Sequence, residues 1–191
     1  SSEIGVTAYV GKGSSTPVTT TVSNLTSADT AASTAQQTNQ QNAADSHVEG
    51  WGDPVFNDDF NDFSQTKNKW NIEDNTYVGY DWGEIKAENV NVRDGNLVIH
   101  TERLKEPISH KKGDIDKEGN IIKQRWYSTG SLQTKNGKFS QEYGRFELRA
   151  KLPTIKGHSR GIWPAFWMRP DNADTNEGEI DILEAYGTPA A

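Results

Sequence analysis

Three carboxylates fall within ten residues in the stretch Gly178 to Gly187, GEIDILEAYG: Glu179, Asp181 and Glu184. In a strand, successive side chains alternate between faces, so Glu179 and Asp181 project together. Glu184, five residues beyond Glu179, would face the other way in a regular strand. One extra residue near Ile182-Leu183, a β-bulge, restores the parity, and bulges are common beside active sites. A helix serves less well, because a five-residue step carries the last acid off the face of the first. Grouped acids repel, and at least one pKa must rise. Glycoside hydrolysis has a use for this arrangement. A retaining mechanism needs two carboxyl groups about 5–5.5 Å apart, one ionised to attack and one protonated to assist departure. A third acid between them can separate the two pKa values. Those roles fit Glu179 as nucleophile, Glu184 as acid/base and Asp181 as assistant. The plainer alternatives are an exposed acidic strand or an opportunistic calcium site. Ile180 and Ile182 alternate with the acids and are expected to enter the core, which disfavours the exposed strand.

The stretch just before the acids, Gly161 to Pro170, reads GIWPAFWMRP. On a strand Trp163, Ala165 and Trp167 share one face, with Ile162, Phe166 and Met168 among the residues of the other. Pyranose rings carry apolar C–H faces that stack on indoles, so Trp163 and Trp167 are candidate sugar platforms. Ordinary core packing is the alternative for each. Arg145 to Leu152, RFELRAKL, alternates over eight residues. Phe146, Leu148, Ala150 and Leu152 form one face and Arg145, Glu147, Arg149 and Lys151 the other, as in a strand with one wet side. Pro153 ends it. Asp94-Gly95, between Asn89–Val92 and Leu97–Thr101, reads as a hairpin turn. Asn136-Gly137, after Ser131–Thr134, reads as a similar connection. Short strands with Gly/Asn turns and no extended helical period predict an all-β sandwich or jelly roll.

The 191 residues suffice for one sizeable core, though only 32% are hydrophobic. All six Trp and all six Phe lie at or beyond Trp51. Gly13 to Ala44 is dominated by Ser, Thr, Ala, Gln and Asn, with Asp29 its only charge. Such composition predicts a disordered linker over residues 1–47, ahead of a folded body over 48–191. Glu3 to Val10 reads as a remnant strand of something upstream. The net charge of −7 makes nucleic acid an unexpected partner, and no apolar run is long enough to span a membrane. With no cysteine, thiolate chemistry and disulfides are excluded. His47, His100, His110 and His158 show no metal-ligand spacing. Ser109 to Gly119 reads as a charged, solvated loop in which Asp114 and Asp116 supply only part of a calcium pattern.

GIWPAFWM followed by GEIDILE resembles glycoside hydrolase family 16. Asp58–Phe60 (DDF), Glu88–Ile99 (ENVNVRDGNLVI), Tyr127–Thr134 (YSTGSLQT) and Tyr143–Pro153 (YGRFELRAKLP) are similar to that family's segments in the same order. The resemblance runs from about Val55 to Gly187. It implies a β-jelly-roll sandwich of the concanavalin A-like lectin/glucanase type, incomplete in this chain because a full family domain continues well past the acidic motif. Apolar faces and sheet edges are then expected to lie open. The resemblance also implies the roles given above for Glu179, Asp181 and Glu184. The longer E-x-D-x-x-E form points to laminarinase-like cleavage of β-1,3- or mixed β-1,3/1,4-glucan. No cofactor is required for that chemistry, and a structural calcium with unassigned ligands is possible in the family. Secretion or cell-surface display is the expected localisation. Asn89, from ENVNV, and Arg125 and Trp126, ahead of YSTGSLQT, are further candidates for substrate contact, with ordinary packing as the alternative. A non-catalytic β-glucan-binding module, a transglycosylase or a galactan hydrolase of the same fold are the alternative functions.

Overall fold

The computed structural model describes residues 2–10, 18–28, 50–78, 82–115, 118–153, 161–171 and 178–185. His47, Asp116, His158 and the end of the acidic motif from residue 186 onward lie outside them. The described residues form two sheets. Strands β1 (Ser2–Val10), β4 (Asn71–Ile72), β9 (Ser131–Gln133), β11 (Ile162–Pro170) and β12 (Ile180–Glu184) make one, in the order β12-β11-β1-β9-β4. The second sheet has seven strands: β2 (Val18–Ala28), β3 (Pro54–Asp58), β5 (Gly83–Ile85), β6 (Val90–Arg93), β7 (Asn96–Ile115), β8 (Ile121–Thr129) and β10 (Arg145–Lys151). Its main path runs β10-β2-β7-β8-β5, with β3 on β2 and β6 on β7. All pairings are antiparallel except β5 with β8.

The apolar residues of both sheets meet between them. Val6, Leu132, Phe166 and Met168 come from the first sheet and Phe56, Val90, Leu97 and Ile99 from the second, with Phe60 and Trp70 completing the cluster. Phe146, Leu148 and Ala150 pack on it, leaving the charged side of β10 outward, as the alternation predicts. This two-layer, all-β arrangement is the sandwich expected from the sequence. One short helix, α1 (Phe63–Lys69), interrupts it. Its N-terminus is capped by Asp62, whose Oδ1 accepts from the Ser64 amide at 2.8 Å.

The opening strand is anchored by a buried carboxylate. Asp58 Oδ1 accepts the Phe60 amide and Oδ2 the Trp70 indole N–H, each at 3.0 Å. The first of these bonds holds Phe60 at φ 55°, an uncommon conformation for a bulky residue. Burial pushes the Asp58 carboxyl above its ordinary pKa, against the opposing effects of the Phe60 amide and Lys69.

Asp94 and Gly95 both have positive φ, at 50° and 69°, and join β6 to β7 as the hairpin read from the sequence. Asn136 and Gly137 also turn with positive φ, but that connection is not a hairpin. It leaves β9 in one sheet, and the next strand, β10, lies in the other. Two further expectations are corrected. The Ser109–Gly119 segment is not a simple loop: β7 runs on to Ile115 and pairs with β8 through Asp114↔Ile122 and Ile115↔Ile121. Within the stretch read as a disordered linker, Val18–Ala28 is a strand flanked by β10 on one side and by β7 and β3 on the other. Ser2–Val10 likewise lies between β11 and β9. Threonine and valine suit a pleated backbone, and a strand paired on both sides draws its stability from neighbours rather than from its own apolar pattern. Residues 29–49 lie outside the described part.

Candidate active site

Strand β11 forms the floor of a groove. Trp163, Ala165, Trp167 and Arg169 line it in strict alternation, while Phe166 and Met168 point into the core. Strand β12 pairs beside it, with Ala165 opposite Glu184 and Phe166 opposite Leu183. The next step on β11, to Trp167, meets Asp181, so Ile182 has no residue opposite it. That single extra residue is the irregularity required by parity. It brings Glu184 onto the face of Asp181 and Glu179, and all three carboxyls line the groove.

Ile180 and Ile182 do not enter the core. They are 58% and 41% exposed, on the edge strand of the described sheet. Leu183, beyond the irregularity, packs inward instead.

The electrostatics of the group centre on Glu179. Its carboxyl lies above the ordinary glutamate pKa. Loss of water is the largest cause, followed by the charge of Asp181, with Glu184 and a hydrogen bond from Glu179 to Asp181 adding to it. Arg169 opposes the rise. Across the groove, the Trp163 indole donates from Nε1 to Oε1 of Glu184 at 3.0 Å. Trp163 is therefore tied to the third acid as well as lining the groove. Trp167 lies against Gly5 of β1, where an added Cβ would stand 2.7 Å from the indole Cε2. Only a residue without a side chain fits beneath this ring.

The other sequence candidates are not brought to this groove. Asn89 is buried at the head of β6, donating to Ser128 Oγ and the Thr129 carbonyl. Arg125, on β8, is completely buried, with its guanidinium 3.7 Å from the centroid of the Tyr77 ring. Tyr77 itself lines the groove, so Arg125 supports a wall rather than forming one. Trp126 stacks with Arg103. β6 and β8 belong to the seven-stranded sheet, which contributes only Ile85 of β5 to the described lining of the groove.

Several lining residues escaped the sequence reading, among them Arg169, Glu73, Tyr77 and Gln133. Arg169 carries a usable signal, the same period-2 phase as Trp163 and Trp167. Glu73 and Tyr77 follow β4 in irregular chain and carry none. Among the described residues no group of three or more His, Asp or Glu side chains is placed to hold a metal ion, so no calcium ligands are assigned.

The two-sheet sandwich thus carries its acids and tryptophans along one groove. Residues 76–190 match the family model described as Glycosyl hydrolases family 16, and the chain belongs to that family. It is 32% identical over 142 residues to "Glucan endo-1,3-beta-glucosidase A1" of Niallia circulans, covering 70% of this chain and 20% of that protein. It is 35% identical over 147 residues to "Beta-glucanase" of Rhodothermus marinus, covering 70% and 43%. A shorter match, 47% over 79 residues, is to "Beta-1,3-glucan-binding protein" of Penaeus monodon, covering 38% and 19%. The chain spans less than half the length of each of these relatives.

Proposed function

We propose that the protein is a retaining endo-β-glycan hydrolase acting on β-1,3- or mixed β-1,3/1,4-glucan. The observation that carries this reading is the placement of Glu179, Asp181 and Glu184 on one groove wall beside Trp163 and Trp167. The relatives named as glucanases support the substrate class. A polymeric substrate of this kind favours action outside the cell, by secretion or at the cell surface.

In this scheme a Glu179 carboxylate oxygen attacks the anomeric carbon while Glu184 gives its proton to the departing glycosidic oxygen. A covalent glycosyl ester results. Glu184, now a base, takes a proton from water, the water oxygen attacks the anomeric carbon, and Glu179 leaves as the carboxylate with overall retention. Attack requires Glu179 to be ionised, whereas the groove holds its pKa high. Glu179 must therefore lose its proton before it attacks, and Arg169 favours the charged nucleophile. Trp163 fixes the direction of Glu184 through its indole bond.

The test is chemical rescue. Glu179→Ala should abolish hydrolysis of laminarin and lichenan, and azide should restore turnover of an activated aryl glycoside with inverted product. Wild-type activity without any rescue would overturn the assignment. The similarity to a glucan-binding protein favours one second reading, a module that binds without cleaving. Glucan binding with no turnover by the unaltered protein would select it.

A further inference from the structure

The hydrolytic scheme leaves one carboxylate of the groove without a part. Glu73 lines the same groove as the acids, at the end of β4. It is held there twice: its amide donates to the Ser131 carbonyl at 3.0 Å, and the Ser131 hydroxyl donates to its Oε2 at 2.5 Å. The side chain is half-buried, and among the described residues Oε1 has no hydrogen-bond partner. Ser131 opens β9, which is separated from β12 by β1 and β11. Three strand spacings place this carboxylate about 14 Å along the sheet from the catalytic strand.

The groove is lined from β9, β11 and β12, by Ile85 of β5 and by the chain that follows β4, and a glycan lying over β9, β11 and β12 crosses the strands. A group at that offset meets a sugar unit other than those flanking the cleaved bond. An ionised carboxylate offers acceptors only, which suits a pair of neighbouring sugar hydroxyls, both of them donors. It repels a sulfate or carboxylate at the same place. The rest of the lining points the same way: four carboxylates, Glu73, Glu179, Asp181 and Glu184, against two cations, Lys135 and Arg169.

We infer that Glu73, oriented by Ser131, is a specificity-determining residue. It binds an unsubstituted hydroxyl pair on a glycosyl unit remote from the cleaved bond and selects neutral over sulfated chains. This rests on the glycan reading of the groove. Binding energy gathered at a remote unit serves long substrates and is lost on short ones.

The full chain carrying Glu73→Gln should lose about tenfold or more in kcat/KM on a β-1,3-glucan hexasaccharide, mainly through KM. On a short activated aryl glycoside, which must sit over the acids to be cleaved, it should match the parent. Calorimetric titration of Glu179→Gln, with and without Glu73→Gln, reads the same contrast without turnover, using the hexasaccharide and a sulfated counterpart. Weaker hexasaccharide binding with a reduced preference over the sulfated chain supports the inference. Equal loss on long and short substrates, no loss on either, or tighter binding of the sulfated chain by the parent overturns it. Ser131→Ala, which keeps the charge but releases its orientation, should give an intermediate loss, and decides the matter if Glu73→Gln lowers the melting temperature. Failure of every neutral glucan to bind would sink the glycan reading, and this inference with it.

Discussion

The indole N–H of Trp163 donates to Oε1 of Glu184 at 3.0 Å, linking the floor strand of the groove to the third acid of the edge strand. Ala165, not Trp163, is the residue paired with Glu184 in the ladder, so this is a diagonal contact made by the length of the indole. It fixes a carboxyl whose strand has, among the described residues, a neighbour on one side only. Trp163→Phe keeps a ring on the groove and removes the donor. The bond strengthens as charge develops on Glu184 with the departure of its proton, and such a bond contributes about 1.5–3 kcal/mol, so polysaccharide hydrolysis should fall about tenfold or more. The loss on an activated aryl glycoside, which needs little help from the acid, should be much smaller. Equal losses on both substrates would mean that Trp163 acts only as a platform.

The pH profile carries the second prediction. Glu179 has its pKa raised in the folded protein and must be ionised to attack, so activity should climb as pH rises through that value, above the ordinary 4.5. Asp181→Asn removes the second-largest cause of the rise but not the burial, so the acid limb of kcat/KM should move down without returning fully to 4.5. Arg169→Gln removes the opposing charge and should move it up. The limb is read from kcat/KM against pH on an aryl glycoside, and shifts in the reverse directions would refute the electrostatic account.

Asp58 sets a prediction about stability. Its folded pKa is raised above 3.8. Between 3.8 and that raised value the folded state binds more protons than the unfolded one, so its contribution is fully present at lower pH and is lost as pH rises through the window. Asp58→Asn should flatten this part of the curve of melting temperature against pH. It should also cost about 1–3 kcal/mol, because an amide group must face either the Phe60 or the Trp70 donor.

Gly5 sets a prediction about the platform. Gly5→Ala would place a methyl 2.7 Å from Trp167 Cε2, so the ring must move. Its fluorescence should shift, isolated by comparison with Trp167→Phe, and glucan affinity should fall. Unchanged emission and affinity would show that β1 does not support the groove.

Much of the candidate site was legible in the sequence, because its information is local. The alternation of Trp163, Ala165 and Trp167 against Phe166 and Met168 fixed which side chains enter the core. The five-residue step from Glu179 to Glu184 demanded an irregularity, expected near Ile182-Leu183, and the ladder leaves Ile182 without a partner. The Asp94-Gly95 turn and the two faces of β10 follow from equally local rules.

What the tertiary structure decided is which sheet each strand joined and what covered it. Arg125 and Asn89 lie in well-formed strands or turns, yet in the sheet that contributes only Ile85 to the described lining of the groove. Ile180 and Ile182 alternate as core residues should, and are exposed on the edge strand of the described sheet. Val18–Ala28 has the composition of a linker and pairs on both sides. Glu73 reaches the groove only because β4 pairs with β9, more than fifty residues away in the chain. Side-chain alternation is a property of one strand and can be read from it. Pairing and coverage depend on backbone hydrogen bonds and surfaces contributed by distant segments, which no single stretch of sequence specifies.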